Sequence, residues 1–403
     1  MSRDRRPLPG DPRVRQLVRQ AQGVSRRRFL AGAAGAAGAG ALLAACGTGG
    51  ATSTDATRDG GSGGPLRWAN WTQYLDQDED GTTFPTLAAF EEQSGIDVEY
   101  YEDIEDNDSF YGKISRQLEN GQDIGYDVVT LTDWMAARWI RQEYVAELDR
   151  ARIPNAEGIL PNLAAVDFDD GRRFSLTWQS GFAGIAWNTE EIPGGLRSVS
   201  DLWDPKYKGR VVVLSEMRDT IGLIMLDNGM DPAGQWTTDD WFDALDVVQR
   251  NLDDGQIRQV RGNSYTQDLE SGDAVACIAW SGDITSLDYE NPGRFKFALP
   301  DAGGTLWSDN VMVPKASPRR AQAEDLFDYY YDPEVAAEVA AWVNYITPVQ
   351  GAREVLARTD PELADDPMIF PTDEILARAH VFRTLTPAEE ERYNGQFLSV
   401  IGA

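Results

Sequence analysis

The sequence predicts an α/β fold in which sheets carry helices on their faces. Two observations lead there. Short apolar, strand-like runs alternate with amphipathic stretches of helical length. The chain has 403 residues, 42% of them hydrophobic and 26% charged, enough for two domains with separate cores.

The alternation begins with a strand at Leu66 to Trp71, a helix around Phe84 to Ser94 and a strand at Asp97 to Tyr101. A helix around Ser109 to Asn120 and a strand at Asp127 to Leu131 continue it, and Val211 to Leu214 repeats the strand pattern later. Phe182 to Trp187, Val275 to Trp280 and Leu306 to Val313 are apolar enough to be central or inter-lobe strands. Trp241 to Asn251, Arg319 to Tyr331 and Pro333 to Trp342 read as helices. In an open sheet of this class, ligands lie beyond the carboxyl ends of the strands, so side chains at those ends are the informative ones.

The first 65 residues follow different rules. Ser25-Arg26-Arg27-Arg28-Phe29-Leu30 is a twin-arginine export signature, followed by a small, weakly apolar run from Ala31 to Ala45. That run falls short of the ~20 residues a permanent spanning helix needs. Leu43-Ala44-Ala45-Cys46 resembles a lipobox, in which the Cys46 thiol accepts a diacylglyceryl group before cleavage makes it the new N-terminus. Residues 1–45 are therefore read as a removed signal peptide, and 46–65, rich in Gly, Ser, Thr, Ala and Asp, as a lipidated Cys and flexible tether. The expected location is the outer face of the cytoplasmic membrane.

The formal charge is −29, and nine Arg against two Asp in residues 1–45 give a local +7, leaving −36 on the rest. Such a surface repels nucleic acid and attracts cations, and it also serves solubility. Of the two cysteines, Cys46 and Cys277, the second lies in an apolar run and reads as a small core residue, so no internal disulfide is expected.

Three tryptophans stand at strand ends, in Asn70-Trp71-Thr72-Gln73-Tyr74, Trp280-Ser281-Gly282-Asp283 and Trp307-Ser308-Asp309. An ammonium group gains from an aromatic face and a carboxylate acceptor, so the combination describes a cation box. Each Trp alone reads first as an ordinary packing residue, and it is the combination that points to a box. Alternation in an extended segment puts Trp307 and Asp309 on one face, which makes Asp309 the expected principal anchor.

These segments, with Tyr126-Asp127-Val128-Val129 and the specific stretch Asp201-Leu202-Trp203-Asp204-Pro205-Lys206-Tyr207-Lys208-Gly209, resemble the bacterial periplasmic polyamine-binding proteins, the spermidine/putrescine receptors of ABC importers. The resemblance covers nearly all of the chain from Leu66 onward. It implies a two-lobed periplasmic-binding-protein-like fold, each lobe a sheet flanked by helices, with the ligand in the inter-lobe cleft. The expected lobes are 66–185 with 310–345, and 186–309 with 346–403, crossing near Ala186, Asn310 and Tyr345.

By the same resemblance Trp71 and Tyr74 are wall aromatics and Asp309 anchors an amine. Trp280 and Trp307 sandwich an alkyl chain, and Glu216 and Asp219 meet amines at the other end. Thr132, Trp134 and Tyr345 fall at further contact positions; Thr72, Gln73 and Asp283 complete the expected binding set. Gln73 stands where spermidine binders can carry an acid, and Arg383 roughly where a polar Gln lies. Arg218, between Glu216 and Asp219, either pairs with them or faces the cleft against a cation. The expected partners are a small cationic solute, the permease subunits and the membrane through the lipid anchor, with the protein acting as a monomer.

An enzyme is not expected. The one histidine, His380, is far in sequence from any candidate nucleophile, and there is no phosphate-binding glycine loop or His/Cys metal cluster. The acidic run Asp103 to Asp108 reads as a solvated loop in preference to a calcium site. No cofactor or metal is expected. The alternative reading is a binding protein for another small cationic or amino-acid-like solute, and behind it a surface glycosidase, for which Glu216 and Asp309 would form the carboxylate pair.

Overall fold

The computed structural model describes residues 64–78 and 81–402. The expected signal peptide, Cys46 and most of the tether lie outside the described residues. Residues 65–403 form one compact unit, and among the described residues no helix is long and apolar enough to cross a membrane.

The sheet contains β1 (Leu66–Trp71), β2 (Val98–Ile104), β3 (Val128–Thr132), β4 (Ser175–Asn188), β5 (Val211–Leu214), β6 (Ile257–Arg261), β7 (Ala276–Trp280), β8 (Phe295–Ala298), β9 (Gly304–Met312) and β10 (Ala379–His380). Their order is β2-β1-β3-β9-β4-β7-β5-β6, with β8 paired to β4 and β10 to β9. β1 runs parallel to β2 and β3, and β5 runs parallel to β6 and β7. Each trio therefore has its first strand in the middle, the second on one side and the third on the other. The antiparallel pair β4 and β9 joins the two trios.

The helices that matter below are α1 (Pro85–Ser94), α2 (Asn107–Glu119), α3 (Asp133–Arg141), α4 (Met217–Asp227), α5 (Thr238–Asp253), α6 (Tyr265–Ser271), α7 (Ser281–Glu290) and α8 (Pro387–Ile401). α1 and α2 lie between the strands of the first trio in sequence, and α4 to α6 between those of the second. This is the βαβαβ arrangement that parallel strands require, because a parallel neighbour can be reached only by a crossover.

Two large apolar clusters fill the unit. The first takes Trp68, Phe90, Phe110, Val129, Met135 and Trp139 from the first trio and its helices. The second takes Val213, Ile221, Trp241, Tyr265, Ile278 and Phe397. Trp68 shows how tightly the first is specified: it is wholly buried, donates from Nε1 to Thr130 Oγ1 at 2.9 Å and meets Trp178 edge-on at 5.0 Å. Cys277 is wholly buried in the second.

The expected lobe boundaries need two corrections. β4 gives Leu176 and Trp178 to the first cluster but Ala183, Ile185 and Ala186 to the second, so the change of core precedes residue 185. A continuous strand hydrogen-bonded along its length carries no compositional break at that point. Val349, Ala352, Leu356 and Ala364, expected in the second lobe, pack in the first cluster, while Phe382, Leu385 and Tyr393 join the second. The C-terminal segment thus serves both cores. α8 also spans them: Glu390 accepts from Arg138 Nε at 2.5 Å and Arg141 Nη2 at 3.2 Å on α3, and Asn394 Nδ2 donates to Asp108 Oδ2 at 2.7 Å on α2.

Candidate functional site

Six strands, parallel within each trio, end around one cavity. Trp71, Thr72 and Tyr74 follow or close β1, Glu105, Asp106 and Asn107 follow β2, and Thr132 closes β3. From the second trio, Ser215 and Glu216 follow β5, Asn263 follows β6 and Trp280 closes β7. Asp219 on α4, Asp283 on α7, Trp307 and Asp309 on β9, and Tyr345 complete the lining. About 540 Å³ of space lies among them, including the part open to solvent, which is the size of a small-molecule site.

The position follows from the topology. Carboxyl ends of parallel strands release the chain into helix N-termini, and the lining residues Asp106, Thr132, Glu216 and Trp280 are the N-cap residues of α2, α3, α4 and α7. Their positive ends offset part of the repulsion among the clustered acids. Trp307 and Trp280 pack against both apolar clusters, so they mark the seam between the two cores.

The ring wall is edge-on throughout. Trp280 and Trp307 lie 6.4 Å apart at 71°, Trp307 and Tyr345 5.1 Å apart at 68°, and Tyr345 and Tyr74 5.7 Å apart at 82°. Two glycines make this packing fit: a Cβ on Gly181 would sit 2.5 Å from the Trp307 ring, and one on Gly282 would sit 2.7 Å from Tyr345.

The acids are held by neutral donors. Asp309 accepts from Tyr74 Oη at 2.8 Å and Thr132 Oγ1 at 2.7 Å. Asp219 accepts from Trp280 Nε1 at 2.8 Å and Thr305 Oγ1 at 2.7 Å. Asp283 accepts from Tyr345 Oη at 2.6 Å and Tyr265 Oη at 3.0 Å. Burial pushes Asp309 up to about 7, against the opposing hydrogen bonds of Thr132 and Tyr74. Burial likewise pushes Asp283 up to about 6 and raises Asp219 and Asp106. Glu216 rises to about 8, burial outweighing the pull of Arg218. A cation entering the cavity would reverse these shifts by stabilising the ionised acids.

Behind Asp309, the buried Arg172 donates from Nη1 to Asn310 Oδ1 at 2.7 Å, and Asn310 Nδ2 donates to Asp133 Oδ1 at 2.7 Å. This chain fixes β9 against α3, and so fixes the backbone that presents Asp309.

Gln73 and Trp134 do not line the cavity. Gln73 adopts the left-handed region at φ 57 in the turn after β1 and is exposed, its backbone N–H donating to Glu102 Oε1 at 2.6 Å. The turn that Tyr74 needs to reach inward carries Gln73 outward. Trp134 donates from Nε1 to Glu216 Oε2 at 3.1 Å and is covered by Arg218, whose guanidinium carbon lies 4.1 Å from the ring centroid. Arg218 pairs with Glu216 at 3.7 Å. Arg383 stacks on Trp236 at 3.9 Å and pairs with Glu389 at 2.7 Å, apart from the cavity. His380 pairs with Asp231 at 2.9 Å.

Sequence reasoning missed Glu105, Asp106, Asn107, Ser215 and Asn263. The run Asp106-Asn107-Asp108-Ser109 held the signal for two of them, since Asp106 is a helix cap accepting from Asp108 N at 3.0 Å and Ser109 N at 3.1 Å. That cap places Asp106 and Asn107 beside the cavity, while Asp103 stays exposed. Among the described residues no group of His, Cys, Asp and Glu is placed to hold a metal.

Strand ends from both trios meet across the cavity. Ser215 Oγ donates to Asp106 Oδ2 at 2.9 Å, and the turn at Gly262 approaches so near that a Cβ there would lie 2.6 Å from the Glu105 carbonyl oxygen.

The spermidine/putrescine-binding periplasmic protein 1 of Haemophilus influenzae is 26% identical over 318 residues, covering 77% of this chain and 81% of that protein. Among solved structures, the spermidine/putrescine substrate-binding protein of Streptococcus pneumoniae aligns with a TM-score of 0.67 at 23% identity, over 83% of this chain and 98% of that one. The Tp0655 lipoprotein of Treponema pallidum aligns with a TM-score of 0.69 at 20% identity, over 84% and 100%. The fold is thus the two-lobed α/β fold of periplasmic binding proteins. Residues 86–372 match the sequence profile of the bacterial extracellular solute-binding proteins, and the chain belongs to that family.

Proposed function

We propose that the protein is the lipid-anchored, substrate-capturing component of an ABC importer and takes up a small polyamine of the putrescine or spermidine type. The observation that carries this is the set of buried acids, Asp309, Asp219 and Asp283, hydrogen-bonded by neutral donors and set among Trp280, Trp307 and Tyr345. Hydroxyl and indole donors solvate a carboxylate without cancelling its charge, so the cavity is prepared for a cation that supplies it. The aromatic faces suit the ammonium and the alkyl stem between ammonium groups. The polyamine-binding names of the relatives support the same ligand class.

In this reading the cavity is the closed form of an inter-lobe cleft, opened by bending where β4 and β9 pass between the cores and near Tyr345. Export by the twin-arginine route and anchoring through Cys46 rest on the sequence signals. The protein delivers its solute to permease subunits as a monomer and catalyses no reaction.

A thermal-shift screen of putrescine, spermidine, spermine, agmatine and amino acids, followed by calorimetry, tests this. The best amine is expected to lose tens-fold or more in affinity with Asp309→Ala, since truncating one partner of a desolvated charge pair costs about 2–5 kcal/mol. Asp309→Asn keeps the shape and removes the charge. Near-wild-type affinity in both variants would sink the polyamine reading, and release of sugar from an oligosaccharide by the purified protein would install the glycosidase reading with Glu216 and Asp309 in its place.

A further inference from the structure

We propose that Glu390 on α8 is the latch of the closed form: by docking on Arg138 and Arg141 of the opposite lobe it holds the cleft shut over the bound amine and sets the rate of release. The proposal rests on the reading of the cavity as a closed inter-lobe cleft and deepens it.

α8 presents two faces, each set by the four-residue spacing of its side chains. Tyr393 and Phe397 are buried in the second core, and Tyr393 stacks on Trp241 at 4.5 Å and 21°, so the helix belongs to the second lobe. Glu390 and Asn394 reach the first lobe instead. Glu390 Oε1 accepts from Arg138 Nε at 2.5 Å, its Oε2 accepts from Arg141 Nη2 at 3.2 Å, and Asn394 Nδ2 donates to Asp108 Oδ2 at 2.7 Å. Arg138 Nη1 lies 3.5 Å from Asp108 Oδ1, which joins the two contacts into one cluster.

The Glu390 side chain is only 6% exposed, and both of its carboxylate oxygens are satisfied from across the lobe boundary. A pair made within one lobe would serve that lobe whether the cleft is open or shut. This one exists where the lobes meet, and separating them returns the carboxylate and both guanidinium groups to water, where such pairs contribute little. Its contribution falls on the closed form, and whatever favours the closed form adds to the affinity for the solute held inside.

α3 connects the latch to the cavity. Trp134, Arg138 and Arg141 share one face of that helix. The Arg138 guanidinium carbon lies 4.9 Å from the Trp134 ring centroid, and Trp134 Nε1 donates across the boundary to Glu216 Oε2 at 3.1 Å. Glu216 lines the cavity, whereas Glu390, Arg138 and Arg141 do not. Glu390 thus acts without touching the solute and is a positioning residue for closure.

Stopped-flow binding of putrescine, with melting curves of the empty and the putrescine-saturated protein, on the wild type, Glu390→Gln and Arg141→Gln is the test. Glu390→Gln is expected to speed release by about tenfold or more and to leave the association rate within about threefold of wild type. It should lower the melting temperature of the saturated protein and leave that of the empty protein as it was. Arg141→Gln, at the more exposed end of the cluster, should act in the same direction, and the double variant should release no faster than Glu390→Gln alone, because the two residues share one interaction. An equal fall in melting temperature with and without putrescine would show an ordinary structural pair and overturn the proposal, as would an unchanged release rate in both variants. So would an empty wild type already as compact in solution scattering as the saturated one, a result that needs no variant to fold. Putrescine binding with unchanged release removes this inference alone, whereas a wild type that ignores every amine removes the polyamine reading and the latch over an amine with it.

Discussion

At the scale of single residues the site is governed by the cost of burying carboxyl groups. Asp309 is held near neutrality at about 7 and Glu216 at about 8, both far above the ordinary acid range, because burial disfavours the charged form. The unfolded chain gives up these protons near pH 4, so the empty protein binds more protons than the unfolded chain between about pH 4 and pH 8. Stability from these groups is complete below that window and lost as pH rises through it. Ligand ammonium has the opposite preference and favours ionised acids. The melting temperature of the empty protein is therefore expected to fall from pH 5.5 to pH 8, and the ligand-induced rise to grow, with affinity increasing by up to about tenfold per pH unit for each coupled proton. Melting curves with and without putrescine at both pH values check this; Asp309→Asn should flatten the dependence.

At the scale of elements, the central strand β4 sets the shape of the aromatic wall. Gly181 pairs with Trp307 across β4 and β9, and any Cβ there would lie 2.5 Å from the Trp307 ring and 2.8 Å from Tyr345. The strand cannot retreat, because β4 is hydrogen-bonded to β9 on one side and to β7 and β8 beyond it. Gly181→Ala is expected to displace the two rings and to cost about 1–3 kcal/mol of stability by overpacking. Amine affinity should fall with it, read by calorimetry and by a shifted tryptophan emission. Unaltered affinity and emission would mean that the wall adapts.

At the scale of the whole molecule, closure and anchoring are separable. Contacts such as Ser215 to Asp106 and Glu390 to Arg138 and Arg141 join the two cores around the cavity. Solution scattering is expected to show compaction when putrescine is added to the empty protein, and an unchanged profile under saturating ligand would contradict an opening cleft. Cys46→Ala is expected to release the protein from membranes or to block its processing, while leaving amine affinity of the soluble domain as it was. Unchanged membrane retention would refute the lipid anchor.

Much of this was legible from local sequence because it depends on local physics. Leu66 to Trp71 is a strand with the expected bounds, since apolar character and flanking breakers decide strands locally. Trp307 and Asp309 were placed together by the two-residue period of an extended chain, and the cation box by the residue types at strand ends. What stayed hidden depends on where a turn sends a side chain. Gln73 looked like a pocket residue until a left-handed turn pointed it outward, and Trp134 until Arg218 and Glu216 covered it. Asp106 looked like a solvated acid and is a helix cap on the cavity. The sequence by itself determined the α/β class, the rhythm of its elements and the residue types at the strand ends. Only the tertiary structure decided that six strand ends meet at one cavity, that one core gives way to the other within β4, and that Glu390 joins the two cores. Those depend on contacts between residues far apart in sequence, which no local period encodes.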